Sequence, residues 1–109
     1  MDIAAAYRST RPAMVDFSGT VTTEPSYFFG AHTRCEHEEF GVSTQAGPLD
    51  VIDNIALAPS VPVHAGDRID VRGEMVHDRG KPPIVHWTHH DPDHEHPDGF
   101  IRLQGKVYA

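Results

Sequence analysis

Ile69, Val71 and Gly73 alternate with Arg68, Asp70 and Arg72, and this run restricts the possible folds more than any other stretch of the chain. A period of two belongs to a strand with one face in a core and the other in water. The run is entered through Ala65-Gly66-Asp67, a turn, and continues to Val76. A Gly-Asp pair leading into Ile-x-Val-x-Gly is a signature of small Greek-key barrels of the OB type.

The rest of the chain fits that frame. Val15, Phe17, Gly19 and Val21 share one face of a strand over residues 15–23. Residues 32–42 are expected as a second strand. One face carries Thr33, Cys35, His37 and Glu39, and the other His32, Arg34, Glu36, Glu38 and Phe40. Gly41 or Gly47-Pro48 then turns the chain into a third strand, Leu49 to Ile52. Asp53 to Leu57 reads as one helical turn with Asp53 as N-cap. Pro59 and Pro62 hold residues 58–62 extended. Asp78 to Lys81 is a hairpin tip, Ile84 to His89 the fifth strand, and Phe100 to Tyr108 a last strand or hairpin. Pro25 to Gly30 is a connection whose Phe28 and Phe29 cover a barrel end. Ile3 to Arg8 makes one or two helical turns or a frayed arm, ended by Pro12.

The expected architecture is all-β: a small, closed or partly open, OB-like antiparallel barrel of five to six strands, with at most one short helix. An arm, 1–12, precedes a single domain, 13–109, that carries a His-rich loop, 86–99. Its core should contain Val15, Phe17, Val21, Val51, Ile69, Val71, Met75, Val85, Trp87 and Ile101.

Charge narrows the partners. The net charge is -7 and the nine Lys and Arg are scattered, which argues against non-specific nucleic-acid binding. A neutral or cationic small ligand, a protein or a metal suits this balance better. Cys35 is alone, so no intramolecular disulfide forms, and it reads as a small buried hydrophobe. No stretch is long and apolar enough to span a membrane. The N-terminus lacks a basic segment and a long apolar run, so the chain is expected in the cytoplasm, or as a mature exported chain. A monomer or small homo-oligomer is expected.

The chemistry concentrates in His86-Trp87-Thr88-His89-His90-Asp91-Pro92-Asp93-His94-Glu95-His96-Pro97-Asp98-Gly99, which holds five of the nine histidines and four carboxylates. Histidine with carboxylate suits a divalent metal, zinc above all. On a straight strand His86 and His90 would stand about 13 Å apart, too far to share an ion, whereas His94 and His96 would be about 6.6 Å apart on one face. His89, His90 or Asp91 can supply a third ligand if the chain bends at Pro92. Two other readings stay open. In one, the histidines and Asp91 merely pin the loop by hydrogen bonds. In the other, His89 or His90, oriented by Asp91 or Asp98, is a general base, with phosphodiester hydrolysis as the reaction suggested by analogy with other barrels. No serine elbow is present, and only one His-x-Thr element, His86-Trp87-Thr88, so serine and two-histidine chemistries are set aside. Trp87 either stacks a base or sugar or joins the core. Nine histidines also suit a pH-sensing interaction module.

Asn54-Ile55, Leu57-Ala58-Pro59, Pro62, Gly66-Asp67, Gly73-Glu74, the His86–Pro92 run, His96, Asp98-Gly99, Ile101, Gly105-Lys106 and Tyr108 together resemble a bacterial family of unknown function, domain family 3465. The resemblance covers residues 50–108 well and is faint before them. It implies a compact β-barrel and no particular activity. It favours His86, His89, His90, Asp91 and His96 over His94 as the site, and it adds His32 and Asp53 to Trp87 as candidate ligand-binding residues. Three positions depart from the pattern. Asp53 replaces a His, Leu103-Gln104 replaces His-Asn, and His94 is extra. Family members often look exported.

Overall fold

The structure, a computed structural model, describes residues 1–109. One helix, α1 (Ile3–Arg8), precedes eight strands: β1 (Ala13–Val21), β2 (Ser26–Phe29), β3 (Glu36–Thr44), β4 (Gly47–Asn54), β5 (Arg68–Val76), β6 (Ile84–His86), β7 (Phe100–Leu103) and β8 (Lys106–Tyr108). Five of them close into a barrel in the order β1-β3-β4-β6-β5, with β5 pairing back to β1. Counting only barrel strands, this is the order 1-2-3-5-4, an OB-like Greek key, as the turn-strand signature suggested. The barrel is not wholly antiparallel. β4 and β6 run parallel, with Val51 opposite Val85, because the chain crosses the barrel between them through β5.

The core follows the alternation. Val15, Phe17 and Val21 from β1, Phe40 and Val42 from β3, Leu49 and Val51 from β4, Ile69, Val71 and Met75 from β5, and Val85 from β6 are all buried. Of the ten residues expected inside, only Trp87 is not buried. α1 is no frayed arm. Asp2 caps it by accepting from the Ala5 N–H at 2.8 Å, and Ile3 and Ala6 join the core.

Five local expectations change. Residues 26–29 form a strand, β2, rather than a connection. It pairs only with β3 and exposes all four residues, so it carries no alternation to read. β3 begins at Glu36, because residues 31–33 turn and Arg34 adopts a left-handed φ of 57°. Gly41 lies inside β3, and the turn falls just before Gly47. Asp53 is not an N-cap. It belongs to β4 and faces inward, while Asn54 accepts from the Ala56 N–H at 3.0 Å and caps the turn. Cys35 is half-buried, and its thiol donates to the Thr33 carbonyl.

β6 and β7 are two pieces of one line of chain beside β5. β6 leaves β5 with His86 opposite Glu74, and β7 returns with Phe100 opposite Arg72. Everything between them is extruded from the sheet. Trp87 turns the chain out, with a φ of 57°, which ends the expected fifth strand at His86 rather than His89. Gly99 brings it back, donating its N–H to the His89 carbonyl at 2.9 Å. A loop with adjoining ends, packed on its own side chains, is an Ω-loop.

Candidate functional site

The Ω-loop is held by its own carboxylates. Asp91 is buried, and its carboxylate accepts from the backbone N–H groups of Asp93 at 3.0 Å, Glu95 at 2.6 Å and His96 at 3.0 Å. Burial disfavours its charge, but the three N–H groups and nearby His96 outweigh that, and its pKa falls below the ordinary value. Asp98 accepts from the Asp91 N–H at 2.8 Å and from His90 Nδ1 at 2.9 Å. The Asp91 N–H, then His90, hold its carboxyl below the usual range. Asp91, Asp98 and His90 therefore do the work of pinning.

The candidate histidines separate into two groups. His89 and His96 meet edge to face, ring centroids 5.5 Å apart, and both line a cleft. His90 and His94 meet each other on the loop's outer side at 5.7 Å and do not line it. His94 and His96, expected to share a face, part company, because His94 takes a left-handed φ of 55°. His89, His90 and His96 likewise do not converge, and no three His, Cys, Asp or Glu side chains are preassembled around a metal position.

The cleft, about 540 Å³, lies between the Ω-loop and the β2–β3 connection, over the outer faces of β4 and β6. That volume suits a small organic ligand. Its walls are aromatic. On one side Phe28 stacks on His37 at 5.2 Å. On the other, Trp87 stacks on His86 at 4.9 Å and on His96 at 4.2 Å. Trp87 is therefore half-buried and engaged with two imidazoles, not placed in the core. His32 lines the cleft from the turn before β3. Asp91, Asp93 and Glu95 contribute carboxylates, and no Lys or Arg lines it.

Hydrogen bonding fixes the imidazoles' roles. Nδ1 of His89 donates to the His90 carbonyl at 2.7 Å, and Nδ1 of His96 to the Pro97 carbonyl at 2.9 Å. In the neutral rings Nε2 is then the acceptor. His96 Nε2 lies 3.6 Å from Asp91 Oδ2, and neither Nε2 has a hydrogen-bond partner in the protein. His37 is tied in the same way, through Nδ1 to the Cys35 carbonyl at 2.9 Å. His86 differs. Its Nε2 meets Glu74 across the strand pair at 2.7 Å, the one histidine–carboxylate hydrogen bond whose imidazole lines the cleft.

Sequence reasoning did not place Phe28, His37, Glu74, Asp93 or Glu95 among the site candidates. It also missed a pair of buried carboxylates under the loop. Asp53 and Glu38 are cross-strand partners, both 0 % exposed. Glu38 accepts from the Val61 N–H at 2.8 Å and from the Ser60 and Tyr27 hydroxyls at 3.1 Å. Asp53 Oδ2 has no partner at all. Burial, and then the charge of Glu38, push the Asp53 pKa up to about 7, against a smaller opposing effect of Thr88. Inward alternation of Glu38 with Phe40 was the available signal. Asp53 itself lies inside the barrel and does not line the cleft.

A family model described as Protein of unknown function (DUF3465) matches residues 4–109. The chain belongs to this family. The match takes in the N-terminal half of this DUF3465 protein, where the resemblance read from residues was faint. No curated protein and no solved structure matches it.

Proposed function

We propose that this DUF3465 protein is a binding module whose cleft takes a small ligand bearing positive charge, and that a divalent first-row metal ion such as zinc is the simplest such ligand. One observation carries the reading. His89 and His96 stand side by side in a cleft with three carboxylates and no Lys or Arg, and each keeps an unpartnered Nε2. An imidazole whose other nitrogen donates to a carbonyl is the usual state of a metal ligand. Two imidazoles on one tetrahedral ion have ring centres about 5 Å apart, close to the separation here. Asp91, next to His96, is the third candidate, although Oδ2 already accepts two N–H bonds. A site with two imidazoles and solvent binds weakly and exchanges readily, unlike a closed structural site.

Hydrolysis ranks behind binding. His86, oriented by Glu74, is the cleft's best general base, but a phosphodiester would meet carboxylates and no fixed cation. The test is calorimetric titration of metal-free, untagged protein with Zn²⁺ and Co²⁺ at pH 7.5. Saturable binding, weakened at least about tenfold in both His89→Ala and His96→Ala, is expected. Binding that survives both substitutions, or none in the wild type, would overturn the metal assignment.

A further inference from the structure

We propose that Asp53 is a proton-binding positioning residue for the Ω-loop: its neutral acid donates to Thr88 and anchors the wall of the cleft, and loss of the proton releases that wall. The inference deepens the binding reading, since it names a control on the same cleft, but its readouts need no ligand.

The argument begins with one hydroxyl. Thr88 is fully buried at the root of the loop, between Trp87 and His89. Its Oγ1 lies 3.1 Å from the Ile52 carbonyl and 3.3 Å from Asp53 Oδ1. A hydroxyl has one proton to donate. The carbonyl can only accept, so the shorter contact takes that proton. The longer contact then becomes a full hydrogen bond if Asp53 is the donor. An ionised Asp53 would have at most a shared donor on Oδ1 and nothing on Oδ2.

The surroundings place the proton on Asp53 rather than on its neighbour. Three donors aim at Glu38, from Tyr27 on β2 and from Ser60 and Val61 in the segment after β4. None aims at Asp53 Oδ2. From β3 the facing charge is Glu38, and from the loop the facing group is Thr88, with His89 next in chain and bonded away to the His90 carbonyl. His37, beside Glu38, stacks on Phe28 on the outer face. Neither buried carboxylate is in an ion pair with a Lys, Arg or His. Two carboxylates in one buried place do not both ionise near neutrality without a cation.

The sign follows from linkage. The folded pKa, about 7, lies above the ordinary aspartate value of 3.8, so the fold holds a proton that the unfolded chain has released. Stability due to this group is full below about pH 4, falls as pH rises, and is lost above about 7. The same rise releases Thr88.

The experiment is carbon NMR of the carboxyl of Asp53 in the full chain, assigned with Asp53→Asn, together with amide exchange over residues 88–99 from pH 5 to 8. The expected carboxyl midpoint is within about one unit of 7. Corrected exchange should rise about tenfold or more in the wild type across that range. Asp53→Asn keeps an uncharged donor, so it should stay protected and melt higher than wild type at pH 8. Asp53→Ala has no donor and should exchange faster at every pH. The decisive quantity is the difference between wild type and Asp53→Asn, in which every pH effect other than that of Asp53 cancels. A carboxyl midpoint below pH 5, or an Asp53→Asn variant as pH-sensitive as wild type, would overturn the proposal. The wild-type titration decides even if a variant does not fold. Zinc binding can fail while this titration stands, and the reverse, so the two readings fall separately.

Discussion

Gly99 has no room for a methyl group. A Cβ there would overlap the carbonyl oxygens of Trp87 and Arg72 and press on Thr88. The returning end of the Ω-loop thus lies directly against its departing end, and only a residue without a side chain allows it. Gly99→Ala should destabilise the protein by about 1–3 kcal/mol, as overpacking does. Urea unfolding checks this, and because the strain sits where the loop closes, exchange at residues 88–98 should increase more than in the barrel. At this scale the sequence was only partly readable. Asp91 as the holder of the Pro92 turn was visible in the Asp-Pro pair, and the structure adds its three N–H bonds. The left-handed Trp87 was not readable, because nothing in an indole side chain announces a positive φ. That one dihedral moved the tryptophan from the expected core into the cleft wall.

Among the elements, alternation was legible wherever one face met the core and the other met water. β1, β4 and β5 are of this kind. β3 was harder, since Glu38 faces inward and His37, on the opposite face, is also buried, beneath Phe28 of β2. β2 was illegible, with four exposed residues and Phe29 61 % accessible. The β7–β8 hairpin shows the opposite situation, in which turn chemistry is poorer than it could be. Gln104 and Gly105 both have positive φ, 52° and 81°, as a two-residue type I′ turn requires. Asn-Gly is the favoured pair there, and Asn is also what the family resemblance led one to expect at position 104. Gln104→Asn should therefore stabilise by roughly 0.5 kcal/mol, a rise of a few degrees in melting temperature, with no change at the cleft.

For the whole molecule, the barrel is closed by sheet pairing on every side, and α1 completes the core by adding Ile3 and Ala6. Tyr7 ties the helix to the barrel through the Pro48 carbonyl at 2.7 Å, and His77 donates to the Ala6 carbonyl at 3.0 Å. Ile3→Ala should cost about 2–4 kcal/mol, which a truly frayed arm would not show. Denaturant titration with unchanged slope would identify the loss as one of packing. The fold class was legible because a closed barrel repeats one simple pattern around a ring. Of the cleft's lining, His32, His86, Trp87, His89, Asp91 and His96 were named as site candidates from the sequence, whereas Phe28, His37 and Asn54 from β2, β3 and β4 were not, because only the folded sheet brings them opposite the Ω-loop.

Trp87 is the chain's single tryptophan, and it rests against His86 and His96 in the wall of the cleft. Its emission is therefore a spectroscopic window on this one place, free of background from other indoles. An excited indole responds to the groups stacked on it, so any movement of His86 or His96 against the ring should change the emission. A metal ion on His96 should perturb it in its own way, by fixing the ring that the indole touches. The protein thus carries an unlabelled optical gauge of whatever enters its cleft.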